Sequence, residues 1–263
     1  MTGAGLLEGR TAVVTGGGRG IGRAIASELA GEGAVVVVAG RSVPALEETV
    51  RHIAARGGTA LAVPADVTLA ADLEQLAART AAEFGAVDVL VANSGVAGPS
   101  GPLWELDPAE WERTIAVNVT GVFLSCRAVL PAMIARGSGA VVVIGSMTGK
   151  RPLLHRTPYA ASKASLIGLV RTLAAEAGPH GVRVNLVSPG AVEGDRIEWV
   201  IREQATARGV GVAEARAAFT GASPLGRLVT PEEVAAAVVW LASDRTAAVT
   251  GEDLNVSAGT VMY

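Results

Sequence analysis

Short, uniformly apolar runs alternate with longer Ala- and Leu-rich segments along nearly the whole chain, and no other feature restricts the fold as tightly. The runs are Thr11–Thr15, Val35–Ala39, Ala60–Val63, Val87–Ala92, Ala140–Gly145 and Val182–Val187, with a last one near Asp253–Val256. A run that is apolar at successive residues, rather than at every second one, suits a strand buried on both faces, as in a parallel sheet covered by helices. Segments of helical length lie between, for example Gly20–Gly31, Val43–Ala55 and Ala70–Phe84. Parallel neighbours need right-handed crossovers, so the pattern predicts an α/β, doubly wound sheet of about seven mostly parallel strands with helices on both faces.

A chain of 263 residues with 50% apolar content has material for one large core, and one domain over 1–263 is expected. Aromatic residues make up only 3%, so that core must be built from Ala, Val, Leu and Ile. The net charge is -3 with both signs scattered, and no basic run is present to neutralise a phosphate backbone, which disfavours nucleic acid as a partner. Cys126 is the only cysteine, which excludes an internal disulfide and a cysteine-based zinc site; no metal is expected. Met1–Arg10 lacks the basic and apolar regions of a secretory signal, and apolar runs such as Val234–Ala242 are too short to span a bilayer. A cytoplasmic protein without a membrane partner is therefore expected.

Two helix starts are marked: Thr157-Pro158, read as an N-cap followed by Pro at the first helical position, and Thr230-Pro231-Glu232-Glu233, which adds a capping box. Glu193–Ala222 breaks the alternation, and this long insert, with Trp199, Ile201 and Phe219 among charges, is expected to cover a substrate (a lid at about 193–222).

The first run feeds directly into Gly16-Gly17-Gly18-Arg19-Gly20-Ile21-Gly22 and then a helix. Backbone N–H groups at a helix N-terminus hold a pyrophosphate, and glycines let the main chain approach it closely. Further on, Tyr159 and Lys163 are four residues apart and share one helical face. Their unperturbed pKa values of about 10 and 10.4 make neither a ready base at neutral pH. An ammonium about 4 Å away stabilises a phenolate by roughly 4 kcal/mol at an effective dielectric near 20, enough to bring the tyrosine towards the operating pH.

With the spacing G-x-x-x-G-x-G through Gly16, Gly20 and Gly22, and with Ser146 thirteen residues before Tyr159, the chain resembles the short-chain dehydrogenase/reductase family. The resemblance covers Leu6 to about Ala258 and extends to Asn93-Ser94-Gly95 after the fourth run, Asp66-Val67 after the third, Asn118, and Pro189-Gly190 after the sixth. It implies a Rossmann-like fold and an oxidoreductase interconverting a ketone and a secondary alcohol. It implies that Tyr159 is the acid/base, that Ser146 hydrogen-bonds the substrate oxygen, that Lys163 assists, and that Asn118 supports a water-linked proton relay. Its implied cofactor contacts are Gly16, Arg19, Gly20, Ile21, Gly22, Asp66 and Val67, with Asn93, Gly95, Tyr159, Lys163, Pro189, Gly190 and Val192. By the same resemblance a homotetramer is expected, with a dimer as second choice.

Cofactor choice turns on the end of the second run. An acid there would hydrogen-bond the ribose of NAD(H) and repel a 2′-phosphate; this chain has Gly40-Arg41-Ser42. Arg41, with Arg19 nearby, favours NADP(H), although Arg41 stacking on adenine would leave NAD(H) possible. The chain departs from the family at Gly194, where a threonine usually anchors the lid, and at Val256-Ser257-Ala258-Gly259, usually Val-Asp-Gly-Gly. A 3-oxoacyl-thioester reductase and a catalytically silent nucleotide-binding regulator are the alternatives. Lys150, Arg151, His155 and Arg156 form a cationic stretch between Ser146 and Tyr159, and Arg196 follows at the lid. Charge runs are usually solvated; the sharper reading is that Arg151, Arg156 or Arg196 grips an acidic substrate tail.

Overall fold

The computed structural model describes residues 5–263; Met1–Ala4, which begin the segment read above for a signal, lie outside them. The order is β1 (Thr11–Thr15), α1 (Gly20–Gly31), β2 (Val35–Gly40), α2 (Val43–Ala54), β3 (Thr59–Pro64), α3 (Ala70–Phe84), β4 (Val89–Ala92), α4 (Pro108–Ile115), α5 (Gly121–Arg136), β5 (Gly139–Ile144), α6 (Thr157–Ala177), β6 (Val182–Pro189), α7 (Asp195–Arg208), α8 (Val212–Gly221), α9 (Pro231–Ala242) and β7 (Asp253–Val256).

The strands form one sheet in the order β3-β2-β1-β4-β5-β6-β7, and every pairing is parallel. The uniformly apolar runs have the expected cause. Val13 and Val14 are both buried, yet they belong to different cores on opposite faces of the sheet. One face packs on α1, α2 and α9, and the other on α3, α5 and α6. The edge strands β3 and β7 are only partly buried, and Asp253 and Asn255 give β7 a more polar sequence. Strand order reverses between β1 and β4, and such a reversal opens a crevice at the carboxyl ends of the strands.

The capping box on α9 is present: Thr230 Oγ1 accepts from the Glu233 N–H, and Glu233 Oε2 accepts from the Thr230 N–H. The start of α6 differs from expectation. Arg156, not Thr157, holds the N-cap position, and no side chain caps the helix. Pro158 is tolerated one position deeper because its missing N–H is still among the unpaired donors of the first turn.

A π-helical turn, Ala116–Thr120, fuses α4 and α5 into one helix, Pro108–Arg136. By length and composition alone this helix reaches across a bilayer, unlike the apolar runs considered above, but it packs against α3, β4 and α6. The insert after β6 consists of α7 and α8, with a small core of its own built on Ile197, Val200, Ile201, Ala205, Ala215 and Leu228. Gly194 and Gly209, both at positive φ, bound α7.

Candidate active site

The glycine loop is shaped by what its backbone must avoid. A Cβ on Gly22 would lie 2.2 Å from the Gly16 carbonyl oxygen, so no side chain fits there. Gly16 takes φ 68° and its N–H donates to Ala39 O at 2.7 Å, folding the loop against the end of β2. Among the described residues no side chain caps α1, whose N-cap is Arg19, and Arg19 and Gly20 are exposed. The first-turn N–H groups of α1, with Ile21 and Gly22 in that turn, therefore face the crevice uncapped, which suits the phosphates of a dinucleotide.

Asn93 joins the two sides of the crevice. Its amide donates to Thr15 O at 2.9 Å and Gly16 O at 3.2 Å, tying β4 to the glycine loop. Thr15 Oγ1 accepts from the N–H groups of Asn93 and Ser94, a contribution that lay hidden in the apolar run. Asp66 accepts from Thr68 through N–H and hydroxyl. Burial raises its carboxyl pKa, but those bonds and Arg41 leave it below the usual range. Arg41 Nη1 stands 3.8 Å from Asp66, at the rim and well exposed.

Two of the expected cofactor residues turn their side chains away. Val67 is buried against Gly121 of α5, and Val192 lies in the core beside α9. Only their main chains are left for the crevice. Val192 bridges Val229 through the bonds of its neighbours, Glu193 N–H to Val229 O and Val229 N–H to Ala191 O. Gly190 packs against Ser257, where a Cβ would meet Cα at 2.8 Å.

The residues expected at the reaction centre come from three elements: the end of β5, α6 and the π-helical turn. Ser146 follows β5, with its Oγ accepting from the Thr148 N–H at 3.1 Å. Tyr159 and Lys163 rise from the first turns of α6. Lys163 is buried, donates to Ile144 O at 2.7 Å, and sits 5.9 Å from the Tyr159 ring centre. Burial pushes the Tyr159 phenol up, yet Lys163, Arg196, a hydrogen bond with Ser146 and Arg156 together bring it below the ordinary value. Burial likewise lowers Lys163, against the pull of Tyr159.

Asn118 is fully buried on the π-helical turn. Its Oδ1 accepts from the Val96 N–H at 2.8 Å, and Nδ2 donates to Val96 O and to Ser162 Oγ, a partner the sequence did not announce.

The cationic stretch divides. Lys150 pairs with Asp253 at 2.8 Å and is buried, so it secures β7. Arg151 lines a cleft with about 580 Å³ of empty volume between Met147, Leu153, Gln204 and Phe219, beside Ser146 and under the insert. His155, at φ 60°, accepts from the Gly101 N–H through its carbonyl. Arg156 is not solvated but 2% exposed, and its guanidinium sits between the rings of Tyr159 and Trp199. Arg196 donates to Gly95 O at 2.7 Å, bridging the insert to the segment after β4.

Comparison with known proteins agrees with this geometry. A family model described as enoyl-(acyl carrier protein) reductase matches residues 16–261. Cis-4-hydroxycyclohexanecarboxylate dehydrogenase of Sinomonas cyclohexanicum is 40% identical over 95% of this chain and 96% of its own. A variant of actinorhodin polyketide ketoreductase, solved with NADPH, superposes with a TM-score of 0.92 at 37% identity over 97% of this chain and 98% of its own. NAD⁺-bound xylitol dehydrogenase superposes at 0.93 with 28% identity, over 96% and 99% respectively. The chain belongs to the short-chain dehydrogenase/reductase family, enzymes that use NAD(P) to interconvert ketones and secondary alcohols.

Proposed function

We propose that the chain is an NADP(H)-preferring ketone reductase and secondary-alcohol dehydrogenase in which Tyr159 carries the proton. The observation behind this reading is the buried Lys163, held by Ile144 O just before Ser146 and 5.9 Å from the Tyr159 ring centre, beside a crevice whose helix N-terminus has no side-chain cap among the described residues. The residues present suit a dinucleotide: Gly16, Gly20, Ile21 and Gly22 leave room and donors for its phosphates, and Asp66, Asn93 and Gly95 border the path onward. Bound there, the nicotinamide cofactor supplies the hydride or accepts it.

The protein's own groups manage the oxygen and its proton. Ser146 donates to the substrate oxygen as negative charge develops on it. Tyr159 delivers the proton in reduction and removes it in oxidation, with Lys163 among the groups that lower its pKa. Asn118 fixes the Val96 segment and supports a water-linked relay to Lys163. The insert α7–α8 closes over the substrate.

Arg41 supports the NADP preference, because no acid stands at the end of β2 to repel a 2′-phosphate. Membership of the family supports assembly as a homotetramer, with a dimer as second choice, and exposed Met262 and Tyr263 in the C-terminal region are available to such an interface. The name of the Sinomonas relative directs the first assays to alicyclic hydroxy acids and their ketones. The experiment is NADPH and NADH oxidation against a ketone panel that includes a 3-oxoacyl thioester. Turnover of simple ketones with NADPH is expected. Turnover of the thioester alone favours the thioester reductase, and binding of nucleotide without any turnover favours the regulator.

A further inference from the structure

Arg156 is a buried cation without an ionic partner among the described residues. Its residue exposure is 2%, and Nη2 donates to Ala97 O at 2.6 Å. Nε and Nη1 are buried and find no hydrogen-bond partner among the described residues. The guanidinium carbon lies 4.7 Å from the Trp199 ring centre and 5.4 Å from that of Tyr159. Aromatic faces stabilise a cation but leave its N–H groups unpaired, and an unpaired buried donor costs free energy.

The surroundings carry positive charge. Lys163 and Arg196 act on the same Tyr159, and Arg156 stands at the N-terminal end of α6, whose dipole has the same sign. The acid felt by Arg156 is Glu203, one turn beyond Trp199 on α7, and it makes no ion pair with Arg156 among the described residues. Ala97 and Trp199, the two contacts of the guanidinium outside α6, also line a cleft with about 460 Å³ of empty volume, whose charged lining is the Glu110–Arg113 ion pair. Three segments meet at Arg156, the loop after β4, the helix carrying Tyr159 and the insert, and on the reading above they would enclose the substrate.

We propose that Arg156 is the anion anchor of the substrate site, taking through Nε and Nη1 the carboxylate of an oxo or hydroxy acid whose reacting oxygen lies at Ser146 and Tyr159. Trp199 roofs the guanidinium, so the carboxylate reaches it when α7 turns about Gly194 and Gly209. This rests on the ketone–alcohol reading above and adds the charge of the substrate to it.

The test pairs 4-oxocyclohexanecarboxylate with its carboxamide, each assayed with the wild type, Arg156→Gln and Arg156→Lys. In parallel, calorimetry measures cyclohexanecarboxylate and cyclohexanecarboxamide binding to the cofactor-loaded protein, and cofactor affinity reports that each variant is folded. The wild type should prefer the acid. Arg156→Gln should lower kcat/KM for the acid about tenfold to a hundredfold more than for the amide, as expected for loss of a charge-assisted bond; the smaller, shared loss reports the pull of Arg156 on Tyr159. Arg156→Lys should recover part of the loss. Cyclohexanecarboxylate should bind the wild type and not Arg156→Gln. Equal losses for acid and amide, or acid binding that ignores Arg156, overturn the anchor while leaving the reductase reading intact. If neither ketone is reduced by any form, the reaction reading fails, and the calorimetry alone decides the anchor.

Discussion

Lys163 Nζ donates to the carbonyl oxygen of Ile144 at 2.7 Å, so the ammonium on α6 is pinned to the strand that delivers Ser146. That contact fixes the distance between the cation and the phenol of Tyr159. In Lys163→Met the largest influence left on Tyr159 is burial, which raises its pKa. Alcohol oxidation needs the phenolate and therefore increases as pH rises through that pKa. The rise should move to higher pH in the variant, and oxidation at neutral pH should fall by about a hundredfold or more. The decline of ketone reduction at alkaline pH should move upward as well. Profiles that coincide with the wild type's would mean that Lys163 does not set the proton affinity of Tyr159.

Tyr159→Phe keeps the ring that packs against Arg156 and removes the transferable proton. Cofactor affinity should stay close to that of the wild type, while kcat falls by about 10²- to 10⁴-fold. Fluorescence titration with NADPH and steady-state kinetics measure the two separately. A variant retaining more than about a third of the rate removes Tyr159 from its role.

Arg41→Asp places a second carboxylate opposite Asp66, at a rim where Arg41 now stands 3.8 Å away. kcat/KM for NADPH should fall by about tenfold to a hundredfold, the scale of a lost charge-assisted contact, and use of NADH should rise. The comparison must include the wild type. A wild type that already prefers NADH sinks the cofactor preference.

Ala258 occupies φ 52° between Ser257 and Gly259, a conformation that costs a non-glycine residue about 1–2 kcal/mol. Ala258→Gly removes that strain but adds freedom to the unfolded chain, worth about 0.4–1 kcal/mol in the opposite direction. The Ala258 carbonyl keeps its bond from Ser223 Oγ at 2.8 Å. A net gain between zero and about 1.6 kcal/mol is expected in thermal unfolding. A lower Tm in the variant would show that the methyl group's packing outweighs the strain.

Features that depend on neighbours in the chain were legible, and features that depend on distant ones were not. Gly16, Gly20 and Gly22 mark a tight loop between a strand and a helix by their spacing, and Tyr159 and Lys163 share a helix face by arithmetic. The fate of Lys150, Arg151, His155 and Arg156 turned on partners elsewhere: Asp253 for Lys150, and Ala97 and Trp199 for Arg156. From the sequence the four formed a single charge run, yet Lys150 and Arg156 are buried in different surroundings. Trp199 was visible only as an aromatic residue in an insert. Val67 and Val192 sit at the expected positions in the chain, but which way a side chain turns there follows from the helices packed behind it. Nothing in Ala116-Val117-Asn118-Val119-Thr120 signals that this turn is wider than its neighbours, because a π-helical turn has no residue signature comparable to a cap.

That widened turn makes Pro108–Arg136 two helices in different phase under one axis. A π-helical turn accommodates one residue more than an α-helical path would, and each residue of an α-helix advances the face by about 100°. Residues before Ala116 and after Thr120 therefore present faces that no single amphipathic stripe could satisfy, one towards α6 and the other towards α3 and β4. Asn118 sits at the seam, reaching Val96 and Ser162 from a position that belongs fully to neither face. Shortening the helix by one residue there would bring its halves back into phase and carry the amide off its partners, so the loop bordering the reaction centre is set by an offset in helical register.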